Sequence, residues 1–381
     1  QAGGDATLET ATNTVGTLAA STGGKLSYVD ADALRVGTVT TTSGPASLLG
    51  STVGVSAAGA TTLQTLDGTT GSLTLADSVT TSGSGAVTTL TAGKDIVQEA
   101  GSRVSSDALR LQAGGDATLE TATNTVGTLA AEVATGDLRF VNAQALAIGS
   151  VTTSTAAAAG TTDGARTASA GRHISLQSLA GDISINQQLR TTADAGGTDT
   201  ATLSAAGGIT QSSSAGAALS ASQLRVLTAA GGASLANTGN VVGAVAADVT
   251  GGSFALASNR ALTVGSVTTA TPLLAGTSTG IMTRGQGISV STSGAGSDVR
   301  LDADVLTTAG GASAGADINV AAGGALAQAA GNLRGGTDGT VRLGAAAGGV
   351  SQTGNGVVTA SRLLVEAAAD SALLNAGNAV A

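Results

Sequence analysis

The twenty residues that open the chain, QAGGDATLETATNTVGTLAA, return letter for letter at 112–131. A looser copy, AGGASLANTGNVVGAVAA, occupies 230–247, and EAAADSALLNAGNAVA closes the chain at 366–381. A chain that restates one stretch in this way is an array, so its fold must be one that lengthens by adding like units. Aligned on their Val-Gly pair, the copies lie 111 residues apart (Gly16 to Gly127) and then 116 (Gly127 to Gly243). The last spacing, Val242 to Val380, is 138. The small first increment reads as a loop insertion, and the larger second one as an added coil.

Inside each large repeat the apolar residues alternate. SLTL (72–75), ALRL (108–111), DISI (182–185), QLRVL (223–227) and DVRL (298–301) have the period of two that a strand with one buried face requires. Between them stand AGGD, TGG, SGSG and TGNG, whose Gly and Asn tolerate turn backbones. No long segment has the 3.6-residue period of a helix. The expected fold is therefore all-β: a parallel β-helix, or β-solenoid, of roughly 20 coils with about 18–22 residues in each, giving a rod on the order of 95 Å. It is expected to run as one continuous segment over 1–381, with large repeats starting near 1, 112, 229 and 365.

Three further copies fix which side chains face inward. They read KLSYVDADALRVGTVTT (25–41), DLRFVNAQALAIGSVTT (137–153) and SFALASNRALTVGSVTT (253–269). Leu26, Leu138 and Phe254 share one position, and Tyr28, Phe140 and Leu256 share another. Leu34, Leu146 and Leu262 pair with Val36, Ile148 and Val264. All of these stay apolar and are assigned to the core. Lys25, Asp137 and Ser253 share a position without common chemistry, which is assigned to solvent. Gly, Ala, Ser and Thr dominate elsewhere, which suits a narrow core with close backbones. Disorder is the competing reading of such a composition, but a 42% hydrophobic content that alternates argues against it.

Charge and residue usage exclude several functions. The net charge is −9, and Lys25 and Lys94 are the only lysines beside fourteen arginines, so no basic patch exists for nucleic acid. Aromatics are 1% of the chain and cysteine is absent, which fits an extracellular bacterial protein, although many cytosolic proteins also lack cysteine. There is no apolar run long enough to span a membrane, no initiator Met and no signal peptide, so the chain reads as a segment of something longer.

No constellation marks a chemical step, and no catalytic, cofactor-binding or metal-binding residue is assigned. Tyr28, Phe140 and Phe254 lie too far apart in a solenoid to make one sugar-stacking platform, and core filling explains them. Asn13, Asn124, Asn240 and Asn378 recur just before each Val and are assigned to turns, either in left-handed backbone or bonding their own turn. Asp5, Asp116 and Asp182 sit in GD pairs, but without the nine-residue tandem repeat of calcium-binding rolls they read as solvated turn carboxylates. His173 is the sole histidine, with no nucleophile elbow beside it, and reads as a rim residue. The acidic groove of polysaccharide-cleaving β-helices has no counterpart in so thinly charged a chain. Threonine runs at 36–42, 149–155 and 265–271 carry T-x-T, the signature of flat ice-binding ladders. They recur only once per large repeat, so solvent-facing strand threonine is the simpler reading.

The stretch ALRLQAGGDATLETATNTVGTLAA, followed by DLRFVNAQALAIGSVTT and then by GDISINQQL and TATLSAAGGITQ, resembles the filamentous-haemagglutinin-like exoproteins of Gram-negative bacteria, the passengers of two-partner secretion. The resemblance covers the whole chain and rests on repeat style. It implies a right-handed parallel β-helix, export through an outer-membrane transporter, and a role in adhesion or biofilm at the cell surface. The expected function is that of a rigid structural and adhesive segment, not an enzyme, whose partner is a host or bacterial surface receptor or glycan. The alternatives are a subunit that associates end to end into an extracellular filament and, less favoured, a carbohydrate-active enzyme.

Overall fold

A computed structural model describes residues 1–44, 49–192, 197–308 and 315–381. The fold is a parallel β-helix. The chain divides into two compact units, Gln1–Ala180 and Gly181–Ala381, both built by the same rule.

In the first unit one ladder runs Ala6–Leu8, Leu26–Asp30, Thr61–Thr65, Val87–Ala92, Val104–Ala113 and Thr125–Val133, every neighbour parallel. A second runs Leu34–Val36, Leu73–Leu75, Ile96–Gln98, Ala117–Leu119, Leu138–Asn142 and Ile174–Ser178. A third joins Ala20–Thr22, Val55–Ala57, Val79–Thr81 and the start of Val104–Ala113. Three ladders make a three-sided coil. The second unit repeats the scheme, for example Ile209–Gln211, Ala233–Leu235, Phe254–Ser258, Ile288–Thr292, Ile318–Ala322, Leu333–Ala345 and Val358–Ala367.

The register gives the size of each coil. Leu90 lies beside Leu111 and Val226 beside Ala247, steps of 21 residues. Leu26 lies beside Thr61 and Ile288 beside Ile318, steps of 35 and 30. Extra residues leave the coil as excursions and return, so these coils make fewer layers than the roughly 20 that a uniform step implies.

Parallel stacking puts like on like in the interior. Tyr28, Leu63, Leu90 and Leu111 form one column, and Leu34, Leu73, Ile96, Ala117, Leu138 and Ile174 another. Leu26, Tyr28, Leu34, Val36, Leu138, Phe140, Leu146, Ile148, Phe254, Leu256, Leu262 and Val264 are all buried. Each such Leu or Phe contributes about 1.5–3 kcal/mol by leaving water. Phe140 stacks between Leu119 and Leu176, an aromatic inside an aliphatic column. Lys25 and Ser253 are exposed and Asp137 is half-buried.

The turns explain the recurring glycines and carboxylates. A Cβ on Gly114 would stand 2.0 Å from the Gly93 carbonyl oxygen, and one on Gly115 2.0 Å from Asp95 Oδ1, because the previous coil's turn lies directly beneath. The turn carboxylates do more than meet solvent. Asp5 Oδ1 accepts the Lys25 N–H (2.7 Å), Asp116 Oδ1 the Asp137 N–H (2.8 Å) and Asp182 Oδ1 the Gly208 N–H (2.7 Å). Each clips its turn to that of the next coil.

The recurring asparagines are corner clamps. None has positive φ, since Leu274 is the one non-glycine residue with positive φ among the described residues. Asn124 is fully buried. Its amide donates to Leu119 O in its own turn, to Val141 O in the next coil and to Gln98 Oε1, while its oxygen accepts the Val104 N–H (2.8 Å) and the Gln98 amide (2.7 Å). Asn240 does the same with Leu235 O, Ala257 O, Gln211 and the Leu219 N–H. Asn378 does so with Leu373 O, Gln352 and the Val358 N–H. Asn13, half-buried, donates to Leu8 O and Val29 O. Replacing Asn240 by Ala strands a buried N–H, two carbonyls and the Gln211 amide, and should cost about 2–4 kcal/mol. Asn13→Ala, at a wetter corner, should cost less than about 1 kcal/mol. Urea-unfolding midpoints of the two variants check the contrast.

Tyr28 gives an optical probe of the same core. Its hydroxyl donates to buried Asp30 (2.8 Å), and burial first, then this bond and the Asp30 charge, push the phenol well above its ordinary value. A raised phenol pKa means the native state keeps its proton after the unfolded chain has lost one. The stabilisation is thus full below pH about 10, the ordinary phenol value, and declines as pH rises above it. The sole tyrosine should therefore show no phenolate absorbance at 295 nm until well above pH 10, and a sharp rise on unfolding there. Titration at the ordinary value in the folded protein would contradict the burial.

Candidate functional site

The threonine runs are not part of the parallel ladders. Each is the outgoing strand of an antiparallel hairpin that leaves a coil in mid-strand and returns to it. Hairpin 1 pairs Thr38–Thr41 with Gly50–Val53, hairpin 2 pairs Ser150–Thr153 with Gly160–Asp163, and hairpin 3 pairs Ser266–Thr269 with Gly276–Thr279. This corrects their assignment to plain solvent-facing strands. The alternation of Thr was correct for a strand, but its partner is its own return.

A glycine pair closes each neck. The Gly54 N–H bonds Gly37 O (3.0 Å), the Gly164 N–H bonds Gly149 O (2.9 Å) and the Gly280 N–H bonds Gly265 O (2.8 Å). The returning glycine has φ of 63°, 73° or 74°, a left-handed turn that rejoins the original strand. In hairpin 2 the strand thus runs Ile148, Gly149, excursion, Gly164, Ala165, laid over the uninterrupted Leu129–Ala130–Ala131 of the coil before.

Hairpins 2 and 3 fold back onto the coils they came from. Under hairpin 2 lies an outward column formed by Thr62, Thr89, Arg110 and Ala130, register neighbours in successive coils. Thr155 bonds Thr62 (2.7 Å), Thr153 bonds Thr89 (2.5 Å), and Arg110 donates Nε to Thr162 Oγ1 (2.8 Å) and Nη1 to Ala158 O (2.5 Å). Under hairpin 3 the column is Thr202, Arg225 and Ala246. Thr269 bonds Thr202 (2.7 Å), and Arg225 donates to Ser278 Oγ (2.8 Å), Thr269 Oγ1 (3.1 Å) and Leu274 O (2.7 Å). Both guanidiniums are buried beneath the hairpin, and burial lowers their affinity for the proton from the ordinary arginine value. Leu274 is the residue held in the left-handed region, with φ 60°, and its carbonyl is one that Arg225 holds.

The outer faces carry hydroxyls in cross-strand pairs. Thr152 bonds Thr161 (2.7 Å), Thr268 bonds Thr277 (2.8 Å), Ser266 bonds Thr279 (2.9 Å) and Thr40 bonds Ser51 (2.6 Å), all exposed. These short rows offer donors and acceptors to a polar ligand such as a glycan, without a charged or nucleophilic centre.

The remaining sequence candidates stay dispersed. Tyr28, Phe140 and Phe254 are core residues in different coils. His173 is half-buried at the start of Ile174–Ser178, and its N–H donates to Asp137 Oδ1 (2.9 Å). Among the described residues no group of three or more His, Cys, Asp or Glu could hold a metal ion. Among the described residues no helix is long and apolar enough to cross a membrane. Sequence reasoning passed over Arg110 and Arg225, although ALRL and QLRVL place an arginine at the outward position of an alternating strand. It also passed over the glutamines that complete the corner clamps, which end the short strands IVQ, ITQ and VSQ. No protein-family model, curated protein or solved structure matches the chain.

Arg225→Leu should remove the donors to the Leu274 carbonyl, Ser278 Oγ and Thr269 Oγ1, leaving Thr269 only its bond to Thr202, and free the tip of hairpin 3. Elastase should then cut within 270–275 about tenfold faster, as expected for a local opening made easier by 1–2 kcal/mol, while the β circular dichroism signal stays unchanged. Cleavage at the parent rate would show that the arginine does not hold the hairpin.

Proposed function

We propose that the chain is a structural and adhesive segment of a secreted or cell-surface bacterial exoprotein of the filamentous-haemagglutinin-like type. It acts as a stiff spacer that presents binding elements in a biofilm or at a host surface. The observation that carries this reading is the division of labour between coils and hairpins. The coils spend their polar side chains on one another, through Asn–Gln clamps and Asp clips, and gather no reactive cluster among the described residues. What leaves the coils is a set of hairpins with exposed hydroxyl rows, a surface suited to many weak polar contacts with a receptor or glycan. Export through an outer-membrane transporter belongs to the same proposal and rests on the resemblance in repeat style.

Antibody against the chain should label intact producing cells or their culture medium, and beads coated with it should be retained on host or bacterial surfaces. Thr152→Ala with Thr161→Ala and Thr268→Ala with Thr277→Ala should reduce retention severalfold, as loss of repeated weak contacts does, without unfolding the protein. Labelling only after permeabilisation, or retention no better than that of uncoated beads, would sink the reading.

A further inference from the structure

Hairpins 2 and 3 return to their coils in the same register. Hairpin 2 leads into Ala165, Arg166 and Thr167, which lie beside Ala131, Glu132 and Val133. Hairpin 3 leads into Ile281, Met282 and Thr283, which lie beside Ala247, Asp248 and Val249. Glu132 and Asp248 are thus equivalent outward carboxylates, each with an outward residue of a neighbouring coil beside it. For Glu132 that residue is Arg166, whose Nη2 pairs with Glu132 Oε1 at an open site, the side chains 43% and 35% exposed. For Asp248 it is Met282. Where one copy meets its carboxylate with a guanidinium, the other offers a thioether, which donates no hydrogen bond.

Asp248 is left without a partner. Its half-buried side chain makes no hydrogen bond or ion pair among the described residues, and its Oδ1 is closed off from water. The column around it has changed as well. Gln112 lies beside Glu132, but Leu227 lies beside Asp248, and Leu306 lies beside Met282. All three apolar residues are half-buried, so an aliphatic stripe runs along the ladder on both sides of one carboxylate. Further coils flank the stripe, with Ser204 beside Leu227 and Arg334 beside Leu306. Met282 and Leu306 also line a groove of about 430 Å³ together with Thr279, Ile281, Asp302 and Asp304. Asp302 is paired with Arg300 (2.7 Å). Asp304 Oδ1 accepts two bonds from Asn332, a neutral donor, and so brings an uncompensated negative charge to the groove.

We infer that this face receives an arginine side chain of a partner protein, its guanidinium on Asp248 and its aliphatic stem along Met282 and Leu306. The molecule supplies the template, since Arg166 already meets Glu132 at the equivalent place. A guanidinium brings several donors to a carboxylate, and its stem can cover apolar surface while the head keeps its charge. The source is a protein and not a free amine because an exposed ion pair alone changes an affinity by no more than about fivefold. The rest of the binding must come from residues on either side of the arginine, laid over the stripe. A net charge of −9 favours the approach of a basic partner. The contact uses other side chains than the hydroxyl rows of the hairpins, so it goes beyond the adhesive reading and stands or falls separately.

Met282 is the sole methionine, so a methyl-labelled methionine gives a single NMR signal at the site. A five-residue peptide with one arginine between threonines should shift that signal at about tenfold lower concentration than the same peptide carrying neutral citrulline, as expected for hydrogen bonds to a charged group. Asp248→Asn removes the charge from a side chain that has no bond to lose, so it should keep the fold and erase the difference between the two peptides. Beads carrying the arginine peptide should retain the parent chain but not Met282→Arg, in which the chain fills the site itself while its β circular dichroism signal stays that of the parent. An equal response to arginine and citrulline, a difference that survives Asp248→Asn, or retention of folded Met282→Arg would each overturn the inference. Spermidine shifting the signal at the concentration of the arginine peptide would overturn the assignment to a protein partner. Loss of surface adhesion with the NMR result intact would count against the adhesive role alone.

Discussion

Each coil of this protein is held to the next by backbone hydrogen bonds, and such bonds do not distinguish one register from another. A slip by one residue would keep the ladder and turn every side chain to the wrong face. Register must therefore come from groups fixed at the corners. The buried asparagines provide it: Asn124 and Asn240 each tie their own turn, the coil before and the coil after into one knot, completed by Gln98 and Gln211. The aliphatic columns depend on these knots, since Leu meets Leu only when the corners agree. Buried amides are costly unless fully bonded, so a wrong register is penalised in proportion to what the correct one satisfies.

Sharing of work between corner and column accounts for what the sequence revealed and what it concealed. Period-two alternation and comparison of the copies placed Leu26, Phe140, Leu262 and their partners inside, because facing inward leaves a mark in one dimension. Asn124 was visible as a recurrent residue, but its partners lie 26 residues back in the chain at Gln98 and 17 ahead at Val141, and no local pattern links them. Arg110 was hidden for a related reason. An outward arginine on a strand reads as solvated, and its burial is caused by an excursion that leaves the chain some forty residues later. The hairpins themselves were read as strand threonine, since T-x-T is what both a ladder strand and a hairpin strand look like. The distinguishing sign was the glycine on each side, Gly149 and Gly164, whose meaning depends on their being brought together.

The seated hairpins also show how a thinly charged protein handles the few charges it buries. Arg110 and Arg225 are met by hydroxyls and backbone carbonyls, not by a carboxylate across the contact. A guanidinium offers five donors in a fixed fork, and a hairpin laid across it supplies acceptors from both strands at once. The arginine thereby fastens an excursion that has few apolar contacts of its own.

The necks have a wider consequence for how such a chain can change over generations. Because Gly149 and Gly164 rejoin the strand at the point where it was left, Ile148 lies beside Leu129 and Ala165 beside Ala131, and the whole excursion takes up a single position of the lattice, that opposite Ala130. Insertion there is neutral to the scaffold. The repeat can therefore be copied, and each copy given a new appendage, without renegotiating the interior. The neck is a splice point, and it separates the part of the protein that must stay the same from the part that is free to diversify.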